Sequence, residues 1–295
     1  MPLQSSTERT LRGTYTVASD DPFLAGHFPG FPLVPGFLLF QYVHSLVSGA
    51  GAVDPTLPIT LEKARFRSPV RPRVPVRAEA TVRQEAGAAQ VSASLTTAEG
   101  PVAQMRIRIG GAPARDSPGP ARHGVPATPA TTLPEIESLI PHRAPALLVD
   151  SVIHAEPGKR LHARRAAVAC DAPSVTAAHG SSQVVPPGLV LESWAQSAVA
   201  LACWTRPNPQ VGTGLVTLLS GVRDARLLAP VPVGAVMEHE CETVRDLGDT
   251  VITTGTCYAD GRPVLEVGQL MLVLRAADTL APHSPAARRS TQERS

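Results

Sequence analysis

His27 stands in the stretch Gly26-His27-Phe28-Pro29-Gly30-Phe31-Pro32-Leu33-Val34-Pro35-Gly36, a loop crowded with turn-forming residues. An unperturbed imidazole titrates near pH ~6.5, so His27 is a candidate general base close to working pH. The loop ends in Pro35-Gly36, where the apolar run Phe37-Leu38-Leu39-Phe40 followed by Gln41 starts a helix. Free N–H groups and the dipole at a helix start favour negative charge. Gly36 is therefore a candidate donor to an oxyanion, and its missing Cβ allows close approach by a ligand. A related pattern recurs about 150 residues later as His179-Gly180-Ser181-Ser182-Gln183-Val184-Val185-Pro186-Pro187-Gly188. It is followed by Leu189-Val190-Leu191-Glu192-Ser193-Trp194-Ala195-Gln196. Glu192 has apolar neighbours, and an apolar setting raises a carboxyl's pKa and fits it for general-acid work. Gln196 is one turn further along and can hydrogen-bond near Glu192 on the same helix face.

The two copies are complementary in what they have lost. The first has His27 and an intact Phe-Pro-Gly turn, but Gln41 stands on its helix where an ionisable group would be needed. The second keeps Glu192, but its loop after His179 lacks that turn.

The elements that position these residues also repeat. In each half a strand-like segment precedes the His loop, a buried helix follows it, and several strand-like runs come last. The first helix is expected over Gly36 to Ser48 and the second over Pro187 to Trp204; both are apolar all round and so belong in a core. Strands are expected in the first unit at 64–66, 76–84, 89–97 and 102–109, from partial apolar–polar alternation. In the second they are expected at 146–152, 236–244, 250–259 and 264–274. Ala64-Arg65-Phe66-Arg67-Ser68-Pro69-Val70 has a counterpart in Asp224-Ala225-Arg226-Leu227-Leu228-Ala229-Pro230-Val231, so an internal repeat of roughly 150 residues is the simplest account. A central helix wrapped by a curved antiparallel sheet, present twice, is an α+β architecture. Residues 112–132 are rich in Pro, Ala and small polar residues, which is linker composition. The expected organisation is one unit over 1–111, a linker over 112–132, a second unit over 133–277 and a disordered tail over 278–295.

Bulk composition narrows the function. The chain has 295 residues, of which 43% are hydrophobic and 18% charged, and its net charge is +2. A balance so near neutrality does not point to nucleic acid or an anionic membrane. No apolar run reaches the roughly 18 residues of a membrane helix, and Met1 to Arg9 lack the apolar segment of a signal peptide. A cytoplasmic protein is expected. The four cysteines, Cys170, Cys203, Cys241 and Cys257, have no CxxC spacing, so reduced core thiols are expected and no metal or redox cofactor is implied.

HFPGFPLVPGFLLFQ resembles the active-site stretch of the β-hydroxyacyl-acyl carrier protein dehydratases, a hot-dog-fold family whose pattern is HFPGxPxxPG, four apolar residues, then Glu or Asp. Leu139-Ile140-Pro141-His142-Arg143-Ala144-Pro145-Ala146-Leu147-Leu148-Val149-Asp150 resembles the family's N-terminal segment, and Glu192 to Gln196 its ExxAQ helix. The resemblance covers both halves and implies a double hot-dog fold like the fused dehydratase domains of polyketide synthases. It implies composite sites, with the histidine from one unit and the acid from the other. One pairs His27 with Glu192 and is complete; the other pairs His179 with Gln41 and is vestigial. The implied reaction removes water from a 3-hydroxyacyl thioester to give a trans-2-enoyl thioester. His27 is the base, Glu192 the acid and the Gly36 N–H the oxyanion donor. Gln196 supports Glu192, and Phe28, Val34 and Pro35 contact substrate. The implied partner is an acyl carrier protein bearing the substrate on phosphopantetheine, with a pseudo-dimer inside one chain. Hydration, which is the reverse reaction, thioester hydrolysis and a non-catalytic partner subunit are the alternatives. His142 precedes the site in the family segment and is expected to be structural; His44 and His162 have no supporting pattern. Trp194 and Trp204 are expected as packing. Arg65, Arg67, Arg71 and Arg73 cluster after the first helix and are expected to form a solvated strand and loop face rather than a patch for an acidic carrier.

Overall fold

A computed structural model describes residues 8–111, 133–168, 183–211 and 214–280. The expected linker, His179 and Cys170 lie outside the described residues.

The first unit opens with strand β1 (Glu8–Tyr15) and a single helical turn, α1 (Pro22–Gly26). Asp21 starts that turn by accepting a hydrogen bond from Phe23 N at 3.0 Å. Helix α2 (Gly36–Gly49) follows, then β2 (Ile59–Phe66), β3 (Val76–Glu85), β4 (Ala88–Thr97) and β5 (Gly100–Gly110). The second unit runs α3 (Leu133–Leu139), β6 (Ser151–Glu156), β7 (Arg160–Ala166), β8 (Val184–Val185) and α4 (Pro187–Cys203). It ends with β9 (Leu215–Leu227), β10 (Val231–Pro232), β11 (Val236–Asp246), β12 (Thr250–Ala259) and β13 (Arg262–Ala276).

Eleven strands form one antiparallel sheet in the order β1-β3-β4-β5-β2-β9-β13-β12-β11-β7-β6. The seam between units is the β2–β9 ladder, from Ile59↔Leu227 to Arg65↔Gly221. Reading outward from that seam, the order β2-β5-β4-β3-β1 of the first unit is matched by β9-β13-β12-β11-β7 of the second, which adds β6 at its edge, so the repeat seen in the sequence is a pseudo-two-fold in space. The Val34↔Val70 bridge of the first unit matches the β8–β10 pair of the second. Helices α2 and α4 fill the concave side: Phe37, Leu38 and Phe40 on α2 and Leu191, Trp194 and Ala198 on α4 are at most 2% exposed. The two helices meet at Gly188, where a Cβ would fall 3.0 Å from Phe37 O and 2.8 Å from Gln41 Cβ. Only glycine lets the N-terminus of α4 come this close to α2.

Both expected helices form within a residue of their expected ends. The strand expected at 146–152 is a correction. Only Ser151 and Val152 enter β6; Ala146 closes a turn and the segment 147–150 runs along α4 instead. Its polar backbone is claimed by that helix: Leu148 N donates to Gln196 Oε1 at 2.7 Å, Ser193 Oγ donates to Leu148 O at 2.7 Å, and Gln196 Nε2 donates to Ala146 O at 2.8 Å. With those groups satisfied there is no ladder for it to join. Strands β7 and β9 were not anticipated. Their sequences carry several arginines with weak alternation, and β9 earns its place by pairing on both edges. Ala277–Leu280 form a 3-10 turn, and the rest of the expected tail lies outside the described residues.

The His27 loop is anchored by the other unit. Phe28 and Leu33 pack with Val211, Val216 and Ala277 in a small core of their own. Arg143 N donates to Gly26 O at 3.0 Å, and a Cβ on Gly26 would run into Arg143 O and lie 3.0 Å from Ala146 N. The glycine before His27 is thus what lets the 142–146 segment lie against the loop. Gly26→Ala is expected to destabilise the fold by about 1–3 kcal/mol through overpacking, read as a fall in chemical-denaturation midpoint. An unchanged midpoint would show that this contact is loose.

Candidate active site

A cavity of about 250 Å³ opens between the units, lined by His27, Val34 and Gly36 from the first and by His142, Glu192 and Gln196 from the second. Phe28 also lines it. Pro35 does not line it; it occupies the cap position of α2 and directs Gly36 inward.

His27 is 8% exposed, and its Nδ1 lies 2.9 Å from Leu33 O. A carbonyl can only accept, so Nδ1 carries the proton and Nε2 holds the free lone pair. Phe28 stacks on the ring with centroids 4.2 Å apart. Burial, the dominant cause, lowers the His27 pKa to about 4, against a smaller opposite pull from the Leu33 carbonyl. The ring is therefore neutral at pH 7 and ready to accept a proton.

Glu192 lies on the first turns of α4 and is 7% exposed. Burial raises its pKa to about 7, outweighing the hydrogen bond from Gln196, which favours the ionised form. Gln196 Nε2 reaches Glu192 Oε1 at 3.1 Å while also holding Ala146 O. It links the carboxyl to the extended segment.

His142, expected to be structural, lies beside the pair. It is 4% exposed, with Nε2 3.9 Å from Glu192 Oε1 and its ring centroid 5.1 Å from that of His27. It stands edge-on to Phe28 at 4.9 Å, and its pKa is pushed well down by burial and then by the neighbouring His27 and Arg143. Its Nδ1 has no hydrogen-bond partner among the described residues. The Pro-His-Arg signal was legible, but proximity to Glu192 arises only because the 142–150 segment folds back along α4. Ligand atoms of His27, His142 and Glu192 all lie within 4.8 Å of one another, a donor set that suits a divalent ion by type. A metal bound there would consume the lone pair of His27 and the acidic proton of Glu192.

The two helix starts differ. Gly36 N makes no hydrogen bond among the described residues, as expected for a helix N-terminus facing a cavity. Gly188 N, its pseudo-two-fold counterpart, donates to Gln41 Oε1 at 2.9 Å. Gln41 is 2% exposed, and its Nε2 donates to Ser45 Oγ at 3.2 Å. It does not reach the cavity, and it closes the corresponding donor on the other side. Of the arginines noted after α2, Arg71 caps the Phe31 ring at 4.8 Å and donates to Leu280 O, and Arg67 donates to Gln104 Oε1. Trp194 is core, with Nε1 donating to Glu240 O at 3.1 Å.

The chain is 36% identical to a 3-hydroxyacyl-[acyl-carrier-protein] dehydratase FabZ of Anaeromyxobacter sp. (strain K) over 131 residues, which are 44% of this chain and 83% of that one. It is 36% identical to the FabZ of Myxococcus xanthus (strain DK1622) over 152 residues, 52% of this chain and 97% of that one. The chain belongs to this dehydratase family. The model of the ApeI-like family, ApeI dehydratase, matches residues 3–106. Among solved structures, the dehydratase domain from the CurJ module of curacin polyketide synthase superposes with a TM-score of 0.64 at 13% identity, covering 96% of each chain. The dehydratase domain of PpsC from Mycobacterium tuberculosis, solved with C12:1-CoA, gives 0.59 at 14% identity, covering 90% of this chain and 94% of that one. The fold is the double hot dog.

The pKa directions give a stability test. Glu192 has a folded pKa of about 7 against an ordinary value of 4.5, so its contribution to stability is full below pH ~4.5 and is lost as pH rises through about 7. Glu192→Gln removes that loss. It is expected to stabilise the protein at pH 8 relative to wild type by up to about 3 kcal/mol, and by much less at pH 5. Melting temperatures of both proteins at the two pH values check it; equal differences at both would mean Glu192 ionises normally.

Proposed function

We propose that this dehydratase acts on 3-hydroxyacyl thioesters carried on the phosphopantetheine of an acyl carrier protein, through one composite site made by His27 and Glu192. The observation that carries the reading is the meeting of a neutral, buried imidazole from one unit and a protonated carboxyl from the other in a single cavity. Two such groups with pKa values pushed in opposite directions are what an elimination of water requires.

The thioester oxygen sits at Gly36 N, where the free N–H and the α2 dipole stabilise the negative charge that grows as the neighbouring carbon loses its proton. That proton goes to His27 Nε2, and the hydrogen bond from Nδ1 to Leu33 O disperses the charge formed on the ring. The C3–O bond breaks and the Glu192 proton goes to the leaving oxygen, which departs as water and leaves a C2=C3 double bond. Imidazolium and carboxylate remain as a neutral pair. Transfer of the proton from His27 to Glu192 resets the site, and His142 lies beside both groups on that path. Run backward, the same groups hydrate an enoyl thioester. Phe28 and Val34 flank the acyl group. The fused two-unit arrangement supports a setting in polyketide or fatty acid assembly, with the second site, Gln41 and His179, unused.

The rate is expected to need neutral His27 and protonated Glu192. kcat/KM then holds between pH about 4 and about 7 and falls on either side. Mass spectrometry of a 3-hydroxyacyl-acyl carrier protein incubated with the enzyme checks the assignment. Loss of one water is expected with wild type and His179→Ala. His27→Ala and Glu192→Gln should each slow it by about 10²–10⁴-fold. An unchanged acyl mass in every sample at several chain lengths would point to the non-catalytic reading, and release of free carrier to a thioesterase.

A further inference from the structure

Three titratable side chains meet in the cavity, and an elimination of water uses only two of them. His142 is the third. Its Nε2 lies 3.9 Å from Glu192 Oε1, which is too long for a hydrogen bond. It is a spacing that two ligand atoms adopt across one zinc ion, since bonds of about 2.0–2.2 Å put such atoms roughly 3.3–4 Å apart. The ligand atoms of His27, His142 and Glu192 all lie within 4.8 Å of one another. Among the described residues this is the one group of three His, Cys, Asp or Glu side chains so placed. Closing the longest separation to a tetrahedral edge of about 3.4 Å takes a shift of about 0.7 Å by each of two side chains.

Each of the three is held from behind, as metal ligands are. His27 Nδ1 donates to Leu33 O at 2.9 Å, which fixes the tautomer and leaves Nε2 its lone pair. Gln196 Nε2 donates to Glu192 Oε1 at 3.1 Å and orients the carboxyl. The backbone of His142 is clamped by its neighbour: Arg143 Nη1 donates to His142 O at 2.7 Å and to Ile140 O at 2.8 Å. Arg143 N donates to Gly26 O at 3.0 Å, which ties the residue after His142 to the residue before His27. Around this group the wall is largely apolar, with Val34, Phe37, Ala195 and Val199, so few other donors compete for an ion. The cavity of about 250 Å³ has room for a water as fourth ligand.

We propose that His27, His142 and Glu192 form a binding site for Zn²⁺, and that the bound ion and the acyl thioester exclude one another from the cavity. Two imidazoles and one carboxylate with an open fourth position are a donor set that zinc takes readily, whereas Mg²⁺ and Ca²⁺ favour oxygen ligands. Coordination releases the Glu192 proton to solvent and engages the His27 lone pair. The zinc-bound protein then has neither the base nor the acid of the elimination, so the ion acts as an inhibitor and not as a cofactor. The inhibition rests on the dehydration proposed above; the binding does not. His142 is what makes the difference between a base–acid pair and a three-ligand site.

The test titrates metal-free, full-length protein with Zn²⁺ against a chromophoric chelator, and with Co²⁺ while visible absorption is recorded. Wild type is compared with His27→Ala, His142→Ala, Glu192→Gln and, as a control on the exposed side of β6, His154→Ala. The expected result is one Zn²⁺ per chain, bound about tenfold or more weakly by each of the first three variants and unchanged by the control. Glu192→Gln keeps the size of the side chain and decides the matter if a histidine variant fails to fold. Co²⁺ is expected to give the d–d absorption of a nitrogen and oxygen site. A thiolate charge-transfer band would put the ion on a cysteine and overturn the site, as would displacement of Zn²⁺ by an equal concentration of Mg²⁺. No binding to wild type at micromolar Zn²⁺, or wild-type binding by all three variants, overturns it too. In the kinetic arm, Zn²⁺ is expected to raise KM for a 3-hydroxyacyl thioester with kcat unchanged, and a chelator to reverse this. Zinc-saturated protein whose activity stays the same or rises overturns the exclusion. If the metal-free wild type dehydrates nothing, the functional reading fails instead, and the two titrations alone decide the zinc site.

Discussion

Burying an imidazole and a carboxyl together costs too much if both are charged, and that constraint shapes the rest of this molecule. Desolvation pulls His27 down to about 4 and pushes Glu192 up to about 7, so near neutrality the pair is held largely uncharged. The resting protonation states are then the ones an elimination needs. The surroundings keep the remaining polar atoms satisfied: Leu33 O takes the Nδ1 proton, and Gln196 links Glu192 Oε1 to the backbone of Ala146 and Leu148. Neither unit could bury both groups alone. Val211, Val216 and Ala277 of the second unit pack on Phe28 and Leu33 of the His27 loop, and the helix bearing Glu192 is packed against α2 of the first.

The same cost explains the asymmetry between halves. A second site on the pseudo-two-fold would bury another titratable pair. Gln41 avoids this: it is neutral at every pH, and its Oε1 satisfies Gly188 N, the donor that corresponds to Gly36 N. The glutamine thereby turns a helix N-terminus that could receive an oxyanion into an ordinary capped one. It also fixes the start of α4 against α2, one turn before Glu192. A residue that looks like a lost acid in the sequence therefore works as a structural strut for the acid that remains.

Much of this was legible in the chain itself. The loop from His27 to Gly36, the buried helices and the repeat are local patterns, set by turn chemistry and apolar content, and they identified His27, Glu192, Gly36 and Gln196. Strands β2 to β5 and β11 to β13 followed from alternation. The failures have one cause, which is tertiary competition for backbone groups. Residues 146–150 have a strand's composition, yet α4 side chains supply the hydrogen bonds that a neighbouring strand would have supplied. Strand β9 carries Gly221, Arg223 and Asp224 and has a weak pattern, yet it is held from both sides.

The sequence by itself determined which chemistry was available, because an imidazole, a carboxyl and an N-terminal glycine in these settings have few other uses. Only the tertiary structure decided which groups meet. Distances such as that from His142 to Glu192 span 50 residues of chain and depend on where one segment crosses one helix. Burial, which sets both pKa values, is a property of the closed seam rather than of any local stretch. The seam is likewise invisible along the chain, since strand register alone sets Lys63 between Arg106 and Arg223.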